Sequence, residues 1–381
     1  MTRPGLSDAC DLPIGRQLAR WRVRRGLTQQ MLADRLGKSK SWVDKVERGV
    51  RALDRYSVIQ EIAEVLHLDP AVLLGNRRPP PTTAPGPDGV DGVRAALVRH
   101  HHQPHSTVPP EQVRRHIGHA WLTYQHAHYA PLLRALPDLL DAAHGTPNLL
   151  VPTYRITAHL LIKLGEADLA WLAADRAAAT ATDPTLTGTA TVTVVQALRA
   201  LGRDRLALTA ALTAADTTTN PPVRAALLLQ AALAAARTGD NHTTHDLLDH
   251  ATHLANQHPT DHDPHHTTVN PIAVRLARSL AAHHLGQPTH AVHLHQQALR
   301  HDDWPRLPAE HRAAHLLDAA HAYHHTGDHT TAARTLTDAD TIAPAEIRLR
   351  PHARTLITEI TRNGPPTAAV TRLATLIGLT R

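Results

Sequence analysis

Across residues 14–75, apolar side chains recur at helical spacing in short runs, and each run is closed by a turn residue. Leu18 and Trp21, with the stem of Arg22, fall on one face of a first helix that ends at Gly26. Thr28 stands where an N-cap belongs, ahead of a second helix over 29–36. Gly37 supplies a tight turn, and Ser39 caps a third helix over 40–48 that Gly49 closes. Two short helices meeting through a glycine turn, with small Ala33 at their crossing, form a helix-turn-helix. The remaining periodicity to residue 75 brings the segment to five helices.

The pattern breaks at 76–87, where Pro79-Pro80-Pro81, Pro85 and Pro87 leave no apolar period, so the chain there reads as an extended linker. A short helix near 93–99 and a second loose stretch bring this linker to about residue 110. From 111 to 381 the pattern is helical and repetitive. Leu or Thr followed by Gly closes one helix and the next begins at once, at Gly165, Gly202, Gly239, Gly286 and Gly327. Twelve residues beyond each glycine stands alanine, at Ala177, Ala214, Ala251, Ala298 and Ala339. Five residues beyond stand Ala170, Ala207, Ala291 and Ala332, with Thr244 the exception. Seven residues before stand Ala158, Val195, Ala232, Ser279 and Ala320. A glycine that caps one helix, flanked in register by small residues, lets paired helices approach closely. A further pair at about 111–144, whose turn near Ala127 lacks glycine, and a last pair at about 345–378 bring the count to about seven.

This register resembles the tetratricopeptide repeat family, with Tyr323 and Pro344 matching its bulky and closing positions. The resemblance implies a divergent α-solenoid with a concave face lined by the first helix of each pair. On those helices Tyr154, Arg155, Asn270, Arg275 and Arg278 are candidate ligand contacts.

Composition narrows the class. The chain has 381 residues, 3% aromatics and no Phe, so its apolar mass is mostly Ala, Leu and Val, which suits closely packed helices. The single Cys10 excludes an internal disulfide framework. The longest apolar run, at 225–236, is interrupted by Gln230 and is too short to cross a bilayer, and no apolar signal core follows Met1; a soluble, cytoplasmic protein is expected. Net charge is +6, and residues 1–78 hold 15 Lys+Arg against 9 Asp+Glu, so the remaining 25 of each sign cancel. All the excess positive charge therefore belongs to the segment with the helix-turn-helix, which favours a polyanionic partner for that segment. Lysine is rare, yet Lys38, Lys40 and Lys45, three of the four in the chain, cluster around the third helix. Its Val43 and Val46 point inward, while Lys38, Lys40, Ser41 and Lys45 gather on the outer, N-terminal side, where side chains of a reading helix reach major-groove base edges.

Taken in order, Gly26-Leu27-Thr28-Gln29, Leu32-Ala33, Leu36-Gly37-Lys38-Ser39, Trp42-Val43, Val46-Glu47-Arg48-Gly49, Ile62-Ala63-Glu64-Val65-Leu66 and Leu73-Leu74-Gly75 resemble the Xre-type, lambda-repressor-like helix-turn-helix family over nearly all of 14–75. The resemblance implies Lys40, Ser41 and Lys45 as base readers, with Lys38 and Ser39 on the DNA backbone at the helix start. It implies Gln29 on a phosphate or supporting the reader, and Arg51 and Arg55 on phosphates. It also pairs Glu47 with Arg22, tying two helices together. Trp42 fits either a thymine methyl or the edge of the core, and Asp44 either a cytosine or a neighbouring cation.

The 32 histidines come in runs such as His100-His101-His102, His265-His266, His283-His284 and His324-His325. Lying beside abundant Thr with no supporting ligand pattern, they read as surface usage in a GC-rich genome of the actinobacterial kind, rather than as a metal site. No metal-ligand helix, phosphate-binding glycine loop or nucleophile elbow occurs, so no cofactor is expected and an enzyme is disfavoured. The expectation is an all-α chain: a five-helix lambda-repressor-like domain at 14–75, a linker at 76–110, and a tetratricopeptide-like solenoid at 111–381. Its function would be transcriptional regulation as a homodimer on double-stranded DNA, with a peptide or small-molecule effector in the repeats and no membrane contact. The layout resembles that of peptide-sensing regulators of Gram-positive bacteria. The alternative is a repeat scaffold whose helix-turn-helix does not bind DNA.

Overall fold

The computed structural model describes residues 14–51, 56–66, 89–101, 108–257, 263, 265–363 and 368–379. Among these are 20 α-helices and no strand, in two units that divide between Ala84 and Pro85.

The first unit holds α1 (Ile14–Arg24), α2 (Gln29–Arg35), α3 (Lys40–Glu47) and α4 (Tyr56–Leu66). The last of the five helices expected over 14–75 falls outside the described residues. Thr28 and Ser39 cap α2 and α3 as the sequence suggests: their hydroxyls accept from Met31 N at 3.1 Å and Trp42 N at 3.2 Å. Leu18, Leu32, Ala33, Val43, Val46, Ile62 and Leu66 form the core, with Trp21 and Trp42 packed on its edge. The first turn of α1 meets the last turn of α3 at Gly15, where an added Cβ would overlap the Val46 carbonyl.

The second unit opens with α5 (Val90–Val98), whose Val90, Val93, Ala96 and Leu97 are buried in the core of the repeats. This short helix, assigned to the linker by its sequence surroundings, is thus part of the repeat unit. The hairpins follow: α6 (Pro110–Gln125) with α7 (Tyr129–Ala143), α8 (Pro147–Leu164) with α9 (Ala167–Thr180), and α10 (Pro184–Ala200) with α11 (Asp204–Thr217). Then come α12 (Pro221–Arg237) with α13 (Asn241–Gln257), α14 (Pro271–His284) with α15 (Pro288–Leu299), and α16 (Ala309–His325) with α17 (His329–Ile342). A short α18 (Pro344–Arg348) precedes the last pair, α19 (Pro351–Asn363) and α20 (Ala368–Leu376). Six first helices begin on proline, which has no N–H to leave unpaired at a helix start.

All five anchor glycines adopt positive φ, between 69° and 83°. The glycine-free turn between α6 and α7 is made by Ala127 at φ 57°. The small residues flanking the anchors are buried as expected, with one shift: in α11 the seam position is Ala215, and Ala214 is half-buried. The two polar exceptions are satisfied, Thr244 Oγ1 donating to the Asp240 carbonyl at 2.6 Å and Ser279 Oγ to the Ala291 carbonyl at 2.9 Å.

Each first helix packs against the next first helix, and the series returns on itself, because α16 also meets α6. One hydrophobic cluster accordingly joins residues of 90–197 with residues of 313–377, while the repeats between them hold a second cluster around Leu227, Ala232 and Leu248. A buried ionic cluster seals the return. Lys163 on α8 pairs with Glu310 on α16 and lies 3.1 Å from Glu346 on α18; Arg350 approaches Glu346 at 2.6 Å, and the Tyr129 hydroxyl donates to it. Burial alone would raise the Glu346 carboxyl, but Lys163 and Arg350 outweigh it and hold the group below the usual carboxylate range. The expectation of surface histidines is corrected for part of this unit. His295 and His315 are core residues, and His283, His284 and His321 are half-buried on the first helices, because neutral imidazole packs well against alanine-rich helices.

Candidate nucleic-acid interface

The outward face of α3 carries Lys40, Ser41, Lys45 and Arg48 exposed and Asp44 half-buried, all at helical spacing, with Val43, Val46 and Glu47 buried behind them. Lys38 and Ser39 precede this stripe and Arg51 follows it, all three exposed. Ser39 is already engaged as the cap of α3, so its hydroxyl orients the helix start. Asp44 pairs with Arg48 at 2.6 Å, which leaves the lysines as the outward cations of the first turn and middle of the helix. Trp42 packs on the edge of the core. Arg55 lies outside the described residues.

The stripe is held in place from behind. Arg22 Nε and Nη2 donate to the two Glu47 oxygens at 2.6 and 3.0 Å, a bidentate pair at only 13% and 7% side-chain exposure. Arg22 Nη1 donates to the Leu27 carbonyl at 2.8 Å, and Gln29 Nε2 donates to Glu47 Oε2 at 2.9 Å. A single carboxylate therefore joins α1, the start of α2 and the end of α3. Gln29 is bound to this network behind α3, a role that the sequence offered beside phosphate contact. Between the starts of α2 and α3 lies an open depression lined by Val23, Gly26, Thr28, Gln30 and Lys40. Such a concave step beside a basic helix suits a phosphodiester strand.

In the repeats, the five concave-face candidates have different neighbours. Tyr154 is buried, with its hydroxyl 2.7 Å from His100 Nδ1. Asn270 caps α14, accepting from Ala273 N at 2.8 Å. Arg278 pairs with Asp249 at 2.6 Å, and Arg275 is exposed. Arg155 is buried on α8 among Trp121, Thr193 and His265. Trp121 carries no functional signal in the sequence: with Tyr124 one turn on, it reads as part of the core face of an amphipathic helix, and its neighbours Arg155, His159 and His266 come from segments more than 30 residues away. Among the described residues no group of three or more His, Cys, Asp or Glu could hold a metal ion, and no helix is long and apolar enough to cross a membrane.

This fold and this surface define a helix-turn-helix protein with an all-helical repeat unit. Residues 13–74 match the family model described as a helix-turn-helix domain. Among solved structures, Bacillus thuringiensis PlcR in complex with the peptide PapR7 and DNA is similar at 11% identity, with a TM-score of 0.40, over 87% of this chain and 96% of that one. No curated protein matches the chain.

Proposed function

We propose that this chain is a sequence-specific transcriptional regulator of the Xre type that reads operator DNA with α3 and works in the cytoplasm as a homodimer, without catalysis. The observation that carries the reading is the exposed Lys40–Ser41–Lys45 stripe, backed by the Arg22–Glu47–Gln29 network, in the part of the chain that holds all the excess positive charge. Lys40 and Lys45 donate to guanine acceptors, Ser41 bonds either way, and Lys38, Arg51 and Arg55 neutralise phosphates. One reading helix spans few base pairs, so two copies on half-sites a helical turn apart supply the specificity. The tetratricopeptide-like repeats supply dimerisation, effector binding or both, with an extended peptide or a small molecule as effector.

Selection of bound fragments from genomic DNA, followed by substitution, tests this. Lys40→Ala and Lys45→Ala each lower affinity for the enriched sequence by about tenfold or more and relax its preference. Arg51→Ala weakens all sequences alike and reduces the salt slope by about one. No enriched sequence, or lysine variants with unchanged affinity and salt slope, would leave a repeat scaffold as the function.

A further inference from the structure

Successive anchors at Gly165, Gly202, Gly239, Gly286 and Gly327 stand 37, 37, 47 and 41 residues apart. The longest interval holds the connection from α13 to α14, and its described residues fold back onto the first two inner helices. The His265 carbonyl accepts from Arg155 Nη1 at 2.7 Å. The His266 ring stacks on Trp121 of α6, with centroids 4.5 Å apart and planes 9° from parallel. Asp263 braces the segment, accepting from His265 N at 3.2 Å and Thr268 N at 2.6 Å. His266 and Thr268 both take positive φ, 48° and 53°, so the backbone is held in an unfavoured conformation while it makes these contacts.

The surface beneath is incompletely satisfied. Arg155 and Trp121 are each 2% exposed, yet Arg155 Nη2 and Trp121 Nε1 have no hydrogen-bond partner among the described residues. The Arg155 guanidinium lies 5.5 Å from the Trp121 ring centroid, and its Nε reaches Thr193 at 3.3 Å. Burial pulls Arg155 down to about 10, and Asp263 only partly offsets this. A backbone carbonyl fills one arm of the guanidinium fork; a carboxylate would fill both and neutralise the charge.

We propose that Trp121 and Arg155 form a ligand subsite for a carboxylate next to a flat ring, which the chain's own His265–His266 occupies until such a ligand displaces it. The ligand is an aromatic acid, either free or as the C-terminal residue of a peptide. This rests on the reading of the repeats as effector-binding, and it names the chemistry of the effector.

The test uses full-length protein labelled with fluorotryptophan, in which residues 263–269 are replaced by a Gly-Ser linker of equal length, and follows the Trp121 resonance. Indole-3-acetate is compared with indole-3-acetamide, and acetyl-Ala-Ala-Phe as free acid with its amide. At least one acid is expected to bind about tenfold or more tightly than its amide. Arg155→Met should erase that preference, and the unaltered chain should bind the acid more weakly than the linker variant. Preference for both acids indicates a free aromatic acid; preference for the peptide acid alone indicates a peptide terminus. Equal binding of acid and amide, no binding, or a preference that survives Arg155→Met overturns the proposal. Should the linker variant fail to fold, His266→Ala uncovers Trp121 within the intact loop and is judged by the same criteria. Acid binding that leaves DNA affinity unchanged keeps the subsite and removes the sensing role.

Discussion

A buried carboxylate among basic residues is costly unless every oxygen is engaged, and Glu47 meets that condition through Arg22 and Gln29. Its task is thus to fix three helices, whereas Lys40 and Lys45, five residues apart on the same helix's outer face, have no such internal task. The two kinds of residue separate by experiment. Glu47→Ala leaves Arg22 buried without its acid and is expected to cost the helix-turn-helix about 3 kcal/mol, read as faster hydrogen exchange of α1–α3 amides in the full chain. Lys40→Ala leaves those amides as protected as before. Equal protection in both variants would mean that the pair does not hold α3. The pairing was legible in the sequence only through the family resemblance, because Arg22 and Glu47 lie 25 residues apart and nothing local links them. For Gln29 the resemblance left phosphate contact and support of the reader both open, since a glutamine at a helix start serves phosphate or carboxylate equally well, and Glu47 as its partner was not legible.

Between elements, glycine acts through two separate causes in this chain. At Gly239, φ is 82° and nothing lies within 4 Å of an added Cβ, so only the backbone conformation excludes other residues. At Gly15 the backbone is ordinary helix and the obstacle is the Val46 carbonyl. Gly239→Ala is accordingly expected to cost about 1 kcal/mol without moving a helix. Gly15→Ala should cost about 2 kcal/mol or more and push α1 off α3, lowering DNA affinity as well. Denaturant melts of the two variants, read with DNA titration, distinguish them; a Gly239→Ala chain that loses DNA binding would contradict this assignment. The anchor glycines stood out in the sequence because a turn and a buried seam recur with them, a local pattern repeated five times. Gly15 did not, because a close approach between α1 and α3 has no local signature. The same distinction explains α18, whose five residues carry no period of their own and whose Glu346 is explained only by Lys163 and Arg350. It also explains the seam shift to Ala215, where adjacent alanines offered two registers.

Across the whole chain, ionisable groups are divided by type: the excess lysine and arginine belong to the first 78 residues, and every histidine except His67 to the rest. Several of those histidines are interior. His295 and His315 share a hydrogen bond at 2.9 Å against Tyr323 and Trp304, at 2% and 5% exposure, and burial holds them down at about 4 and about 3. Burial likewise pulls His284 and His321 to about 3. The ordinary value is about 6.5, so as pH falls below that the unfolded chain takes up protons that the folded repeats refuse. Stability is therefore complete above pH of about 6.5 and falls from there until the folded groups themselves titrate, near 4 and 3 for His295 and His315. These two alone give a slope of up to about 3 kcal/mol per pH unit. Urea melts of the full chain should show the repeat transition moving to lower urea between pH 7 and pH 5. In His315→Gln that shift should shrink by about a quarter, one of the four buried histidines having been removed. An unchanged midpoint at pH 5 would show that His295 and His315 are not held neutral in the folded repeats.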